Sequence, residues 1–334
     1  MPGYFLGVDG GQSSTTAVIG DETGRVLGVG YGGPCDHVGA AQGRAKLAAA
    51  VRSSLRGACA QAELDADRTR FTSACLGFSG GPADKQSILR EILQSDRILV
   101  TDDAIIALTG ATAGQPGLVV IAGTGSIAFG RNSPGRTARA GGWGYLFGDE
   151  GGAFWIARQA LRAALRWEEG WGVPTALRAI LLNFMISQNA PMRNMNDLLH
   201  RCYTAEFPRP RVASLSMVVN QAAEGGDPVA LDILNAAARE LALLAVAVRG
   251  QLFKTGEATL VAYTGGVFHS RILLARFRDW MASQAGVRVT APVYRPVIGA
   301  LLEAYAAAGL DRKDHLRTGA GKSTAPSGRG SLTL

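Results

Sequence analysis

Two stretches of the chain are built alike. FLGVDGGQSSTTAVIG at residues 5–20 and GLVVIAGTGSIAFG at residues 117–130 each run as an apolar strand, a turn of glycine, serine and threonine, and a second apolar strand. Strands apolar along most of their length are buried on both faces and need helices to cover them. The recurrence points to a duplicated α/β architecture with one small polar turn per half, although two copies also allow coincidence.

The flanking pattern extends both halves. RVLGVGY at 25–31 adds a third strand to the first hairpin. An alanine-rich helix from about 41 to 63, the strand FTSACLGF at 71–78, a helix near 84–94, the strand RILVT and a helix opening at DDAIIAL complete one α/β unit. The second half predicts helices at roughly 151–167, 174–189, 212–224, 227–254 and 269–285. Between the last two, ATLVAYTGG reads as a strand ending in a third glycine turn at 264–266. A final helix covers about 296–309. The remainder, 311–334, is polar and rich in Gly, Ser and Thr and reads as a disordered tail.

Composition narrows the function classes. With 334 residues, 47% of them hydrophobic and 18% charged, the chain has room for two ordinary domains and a sizeable core. No run of eighteen apolar residues and no basic leader is present, so the expectation is a cytoplasmic protein without a membrane partner. Cys35, Cys59, Cys75 and Cys202 form no C-x-x-C pair, which suggests neither a disulfide framework nor a zinc site. Of the formal charge of +7, the tail carries +3, and the remaining basic residues are spread along helices. A solvated surface is the favoured reading over a nucleic-acid partner, and attraction for an anionic substrate stays open.

Two motifs mislead. GVGYGG at 28–33 matches the dinucleotide fingerprint G-x-G-x-x-G, but Pro34 follows and a strand ending in a turn fits better. GAGKST in the tail resembles half of a Walker loop, yet Leu316 stands where its first glycine belongs and no apolar strand precedes it.

The glycine turns themselves suit phosphate. Without a Cβ to block approach, backbone N–H groups can converge on an anion. Ser13, Ser14, Thr15 and Thr16 in the first turn, and Thr124 and Ser126 in the second, add hydroxyl donors. Asp9, the only acid in either turn, would act through Mg²⁺ or its bound waters. A lone DGG turn also fits an ordinary hairpin, but the paired pattern and the third turn favour a nucleotide.

GVDGGQSSTTAVI, TDDAIIALTGA, VVIAGTGSIAFG, GGWGYLFGDEGGAFWIARQAL and VAYTGGVF occur in the order seen in N-acetylglucosamine kinases and their bacterial relatives. From about Gly7 to Gly309 the chain resembles this family, which sits with the BadF/BadG/BcrA/BcrD-type ATPases in the sugar kinase/Hsp70/actin superfamily. The resemblance implies two ribonuclease H-like, actin-like ATPase domains with a central ATP and sugar cleft. The first domain would run over 1–114, the second over 115–295, with the helix at 296–310 packing back on the first. ATP phosphates would meet Asp9, Gly10, Gly11, Ser13, Ser14 and Thr15 of the first turn and Gly123, Thr124 and Gly125 of the second. Adenosine would lie against Gly265 and Gly266.

The resemblance also assigns the acids. Asp103 aligns with the family's catalytic base at the head of the helix after TDD; the alternative is helix capping by Asp102 or Asp103. Asp149 aligns with the sugar-binding aspartate, while Glu150 would support the helix starting near Gly151, which Asp149 could also cap. Gly142 and Gly144 would let backbone amides approach the sugar, with Trp143 as a pocket wall or a core residue, and Ser126, Asp36 and His37 as further sugar contacts. Asp36, and Ile127 after GTGS, depart from asparagines in the animal enzyme's sugar loops, which leaves the C2 substituent open between acetamido and ammonium. N-acetylmuramic acid would demand a wider pocket.

The implied activity is Mg²⁺- and ATP-dependent conversion of N-acetylglucosamine to its 6-phosphate (EC 2.7.1.59), in amino-sugar use or cell-wall recycling, by a homodimer joined through the C-terminal domain. Glucosamine and N-acetylmuramic acid are alternative substrates. An ATPase activator of 2-hydroxyacyl-CoA dehydratases is the alternative from another class, although its paired, glycine-flanked cysteines are missing here. A non-catalytic sugar sensor is disfavoured by the retained Asp9, Asp103 and Asp149.

Overall fold

The computed structural model describes residues 3–11, 14–35, 42–79, 85–187, 193–205 and 207–310. Ser13, Asp36 and His37, and the tail with its GAGKST, lie outside the described residues. The chain divides into two compact units, one running to Gln115 and resuming at Pro292, the other spanning Pro116–Ala291.

The first unit is built on β1 (Tyr4–Gly10), β2 (Thr15–Asp21), β3 (Val26–Gly32), β4 (Ser73–Phe78) and β5 (Ile98–Asp102), with α1 (Gly43–Gln61), α2 (Gln86–Ile92) and α3 (Asp103–Ala111). The second holds β6 (Gly117–Ala122), β7 (Ser126–Arg131), β8 (Thr137–Gly141), β9 (Thr259–Thr264) and β10 (Val287–Thr290). Its helices are α4 (Ala153–Glu168), α5 (Leu177–Ser187), α6 (Met195–Cys202), α7 (Arg209–Ser214), α8 (Ser216–Glu224), α9 (Pro228–Leu252) and α10 (Arg271–Ala282). The last helix, α11 (Pro296–Ala307), belongs to the first unit, where Leu301 and Tyr305 pack with Phe5 and Val18.

The two sheets repeat one plan. Their orders are β3-β2-β1-β4-β5 and, read from the same end, β8-β7-β6-β9-β10. In each, the first three strands of the unit pair antiparallel and the first, fourth and fifth run parallel. Parallel pairing fixes where the chain exits: Asp9 lies opposite Gly77, and Phe78 opposite Asp102, so β1, β4 and β5 end along one edge. The same holds for β6 and β9, where Ile121 lies opposite Thr264. In open sheets of this kind that carboxyl edge is where ligands bind.

Some elements differ from the sequence reading. The helix expected at 212–224 is two helices, α7 and α8, with α7 starting earlier behind Pro208. The sequence reading does not include the strands β8 and β10 or the helix α6; β8 and β10 have only five and four residues and α6 eight, too short for their patterns to stand out.

The dinucleotide-like GVGYGG is a packing device. Gly28, Gly30 and Gly32 alternate along β3, and a Cβ on each would meet the backbone carbonyls of Ala58, Ser54 and Ala50, four residues apart on α1. The period of two on the strand matches the turn of the helix, so α1 lies directly on the strand. Gly30→Ala is therefore expected to destabilise the protein by about 1–3 kcal/mol, the usual cost of overpacking, because the obstacle is backbone and cannot swing aside. A thermal melt equal to wild type would refute this packing.

Candidate functional site

In the first unit two acids sit at the carboxyl edge. Asp9 is the penultimate residue of β1, and β4 separates β1 from β5, which hands Asp103 to α3. Two strand spacings put their backbones about 10 Å apart. Asp103 accepts a hydrogen bond from Ser79 Oγ at 2.6 Å, which holds Oδ2 and leaves Oδ1 without a partner among the described residues. Asp102 is exposed and makes no side-chain capping bond, so neither acid is spent on the helix N-terminus.

The turn after β1 is closed by its own backbone. Gly11 N–H donates to Ser14 O at 3.0 Å, and Cys35 N–H donates to Gly11 O at 2.9 Å. The Thr15 hydroxyl is buried, donates to Gly33 O at 2.8 Å and lies 3.1 Å from Cys35 Sγ, so it braces the turn from within. Gly10 faces the Phe78 ring, where a Cβ would not fit.

In the second unit the turn Gly123–Gly125 leads from β6 into β7. Gly123 N–H donates to Gly125 O at 3.0 Å, and the Gly123 and Thr124 carbonyls accept from Ala153 and Phe154 N–H at 2.8 and 3.1 Å. The first amides of α4 are thus tied to this turn; its cap is Gly152, without a side-chain bond, so neither Asp149 nor Glu150 caps the helix. Gly265, at φ 106°, packs on the backbone of Ala122, bringing the third turn beside the second. Gly123, Thr124 and Gly266 line one cavity of about 460 Å³ with Met217, Asn220 and Ser270. Asn220 Nδ2 donates to Glu224 at 2.9 Å, whereas its buried Oδ1 accepts nothing.

Asp149 sits beside the same turn. It is buried, in the left-handed conformation at φ 64°, and its carboxylate occupies the space a side chain at Gly125 would need. Ser126 N–H donates to Oδ1 at 3.3 Å, and Arg209 Nη2 donates to Oδ2 at 2.5 Å. Arg209 was not visible in the sequence as a site residue: sixty positions separate it from Asp149. Its guanidinium lies over the rings of Tyr145 and Phe154, at 5.0 and 5.8 Å from their centroids. The Ser126 hydroxyl donates to Glu150 O at 2.6 Å, and Ser126 O accepts from Gly142 N–H at 2.9 Å. Gly142 and Gly144 have φ of 73° and 80°. Trp143 is 65% exposed and carries the Arg139 guanidinium over its ring, so it is no core residue.

The BadF/BadG/BcrA/BcrD ATPase family matches residues 6–304. This chain belongs to that family. An N-acetylmuramic acid/N-acetylglucosamine kinase of Clostridium acetobutylicum is 32% identical over 286 residues, 83% of this chain and 90% of its own. An N-acetyl-D-glucosamine kinase of Dictyostelium discoideum is 31% identical over 285 residues, 81% and 87% of the two chains. Among solved structures, a candidate N-acetylglucosamine kinase of Chromobacterium violaceum superposes with a TM-score of 0.69 at 28% identity, covering 90% of this chain and 98% of its own. The fold is that of actin-like ATPases, with two ribonuclease H-like sheets. No helix among the described residues is long and apolar enough to cross a membrane.

Asp9 is held against its preference. Burial, then the negative charge of Asp103, push Asp9 up to about 6, against a smaller opposing pull from Arg295. The folded protein therefore binds the Asp9 proton more tightly than the unfolded chain does. The associated stability is full below the unfolded value of 3.8 and is lost as pH rises through about 6. Without divalent cation or nucleotide, Asp9→Asn is expected to raise stability at pH 7.5 by about 1–3 kcal/mol. The advantage should shrink towards pH 4; urea denaturation giving the same gain at both pH values would contradict the assignment.

Proposed function

We propose that this chain is an ATP-dependent hexosamine kinase that phosphorylates the 6-hydroxyl of N-acetylglucosamine, acting in the cytoplasm as a homodimer. The observation that carries the reading is the fit of the Asp149 carboxylate against Gly125. One short turn thereby offers backbone amides on one side and a buried hydrogen-bond acceptor on the other. Neutral sugars are recognised by such acceptors, because a wrong ring leaves the buried lone pairs unpaired. Kinases named for amino sugars among the relatives support the same substrate class.

The roles follow from the chemistry each residue can supply. Asp149 accepts from ring hydroxyls through the lone pairs that Arg209 and Ser126 leave free. Asp103, with Oδ2 held by Ser79, takes the proton of the attacking hydroxyl on Oδ1. Asp9, which burial and the neighbouring Asp103 charge hold against ionising, suits a cation and would hold Mg²⁺ through its waters. When bound, Mg²⁺ draws charge from the phosphates in the transition state. In the second unit Gly123, Thr124 and Gly125 would receive phosphate, with the cavity at Gly266 for the nucleoside, and in the first unit Gly10, Gly11 and Ser14 offer a turn of the same kind. Asn220 lines that cavity, and once its side chain turns towards the nucleoside its Oδ1 is an acceptor for the 6-amino group of adenine, a donor that guanine lacks at that position. We assign the unit up to Gln115 with α11 as the N-terminal domain and Pro116–Ala291 as the C-terminal domain.

ADP release should rise with N-acetylglucosamine in a panel that includes glucosamine, glucose and N-acetylmannosamine; silence with every amino sugar would end the proposal. Asp103→Asn is expected to lower kcat by about 10²–10⁴-fold, the span of general-base catalysis, while sugar affinity by calorimetry stays within a few fold. Asn220→Leu should raise KM for ATP about tenfold, the worth of one buried hydrogen bond, and leave KM for the sugar unchanged. An unaltered KM for ATP would remove Asn220 from the nucleoside site.

A further inference from the structure

Gly7 and Asp9 share one face of β1, and α11 covers that face: a Cβ on Gly7 would meet the Val297 carbonyl and the Leu301 amide. At its far end α11 places Tyr305 against Phe5, and the Tyr305 hydroxyl donates to Asp21 O at 2.7 Å, level with the start of β1. The helix therefore runs antiparallel to the strand, and its first residues come up beside Asp9 at the carboxyl edge. Arg295 holds the N-cap position of this helix. Its backbone is fixed on α3: Val293 and Tyr294 N–H donate to the Ala111 and Gly110 carbonyls at 3.1 and 3.0 Å, and a side chain at Gly110 would strike Arg295 O. Ile298 and Gly299 N–H donate to the same Arg295 carbonyl at 3.0 and 3.2 Å.

The Arg295 side chain has no such ties. It is exposed and makes no ion pair or side-chain hydrogen bond among the described residues, although its charge reaches Asp9. An arginine whose use was to steady Asp9 would pair with it bidentately. Arg295 instead stands near the acid without contact, on a backbone that holds it there. A neutral sugar offers no charge to match an unpaired guanidinium, whereas phosphate oxygens meet its planar fork two at a time. The positive end of the α11 dipole adds to the attraction at the same place. If Asp103 takes the proton of the attacking hydroxyl, the phosphate being transferred lies next to it, and Asp9 lies within reach of both Asp103 and Arg295. We propose that Arg295 grips the terminal phosphate of ATP and offsets the repulsion that Asp9 and Asp103 would exert on it. The inference rests on the proposed kinase activity, through its nucleotide.

Calorimetry on Arg295→Gln compares ADP with a non-hydrolysable ATP analogue, each with Mg²⁺. Affinity for the analogue should fall about tenfold or more, as expected for a lost charge-assisted bond, and affinity for ADP should stay within about twofold. Retained ADP binding also reports that the variant is folded. Equal weakening of both nucleotides would assign Arg295 to Asp9 and its cation, and no weakening of either would leave the arginine without a phosphate; each result overturns the inference alone. Selective loss of the analogue in a protein that phosphorylates no amino sugar would uphold Arg295 and end the sugar-kinase reading. Failure of the wild-type protein to bind either nucleotide would end both.

Discussion

The second unit is organised around one buried charge. An ionised carboxylate taken out of water is costly unless paired and hydrogen-bonded, and Asp149 meets that demand with Arg209 and the Ser126 amide. Each partner constrains a different part of the chain. Lodging the carboxylate beside the turn forbids a side chain at residue 125; reaching it with Arg209 fixes the start of α7. The guanidinium in turn lies over Tyr145 and Phe154, which ties the segment before α4 and the first turn of that helix to the same point. Such a pair contributes little net stability, yet removing one member leaves an unpaired buried charge at a cost of about 3–5 kcal/mol. Its value is geometric: the acceptor has one orientation before any ligand arrives.

The first unit treats its acids in the opposite way. Asp9 has no ion-pair partner among the described residues, and its strongest charged neighbour is another acid. The fold thus leaves unfavourable electrostatics in place, which a proton relieves at low pH and a positive ligand can relieve at neutral pH. Asp103 is oriented by the neutral Ser79 hydroxyl, which fixes one oxygen without neutralising the group. A carboxylate meant to accept a proton loses basicity if a cation sits on it, so this choice of partner agrees with the role proposed for it.

Sequence reasoning reached the elements whose pattern is local. The apolar strands on either side of each glycine turn, the alanine-rich α1 and the long α9 carry their period on their faces. The strand β8 does not: TARAG is small and charged, and it is a strand because β7 offers it a pairing edge. The four-residue β10 is similarly decided by pairing with β9. At the site, the glycine turns and the acids were legible because unusual residue types cluster there. Arg209 and Asn220 were not, since an arginine at the start of one helix and an asparagine inside another look like any solvated positions until distant segments meet them. The sequence reading counts the Thr15 hydroxyl among the donors for phosphate, whereas in the structure it donates to Gly33 O; spacing along a turn does not say which side of it a side chain takes.

The repeated strand order explains why these less legible residues gather in one region. In the first unit the connection from the third strand to the fourth holds, among the described residues, the one helix α1; in the second, the equivalent connection from β8 to β9 holds α4 through α9. The Gly123 turn closes the same kind of hairpin as the turn after Asp9, and a frame duplicated in this way supplies glycine turns at equivalent carboxyl edges. It does not supply discrimination. Asp149 lies at the entrance to the enlarged connection, and Arg209 and Asn220 lie within it. The glycine turns proposed to handle phosphate therefore belong to the repeated frame, whereas the groups proposed to choose a sugar and a base belong to what one copy added to it.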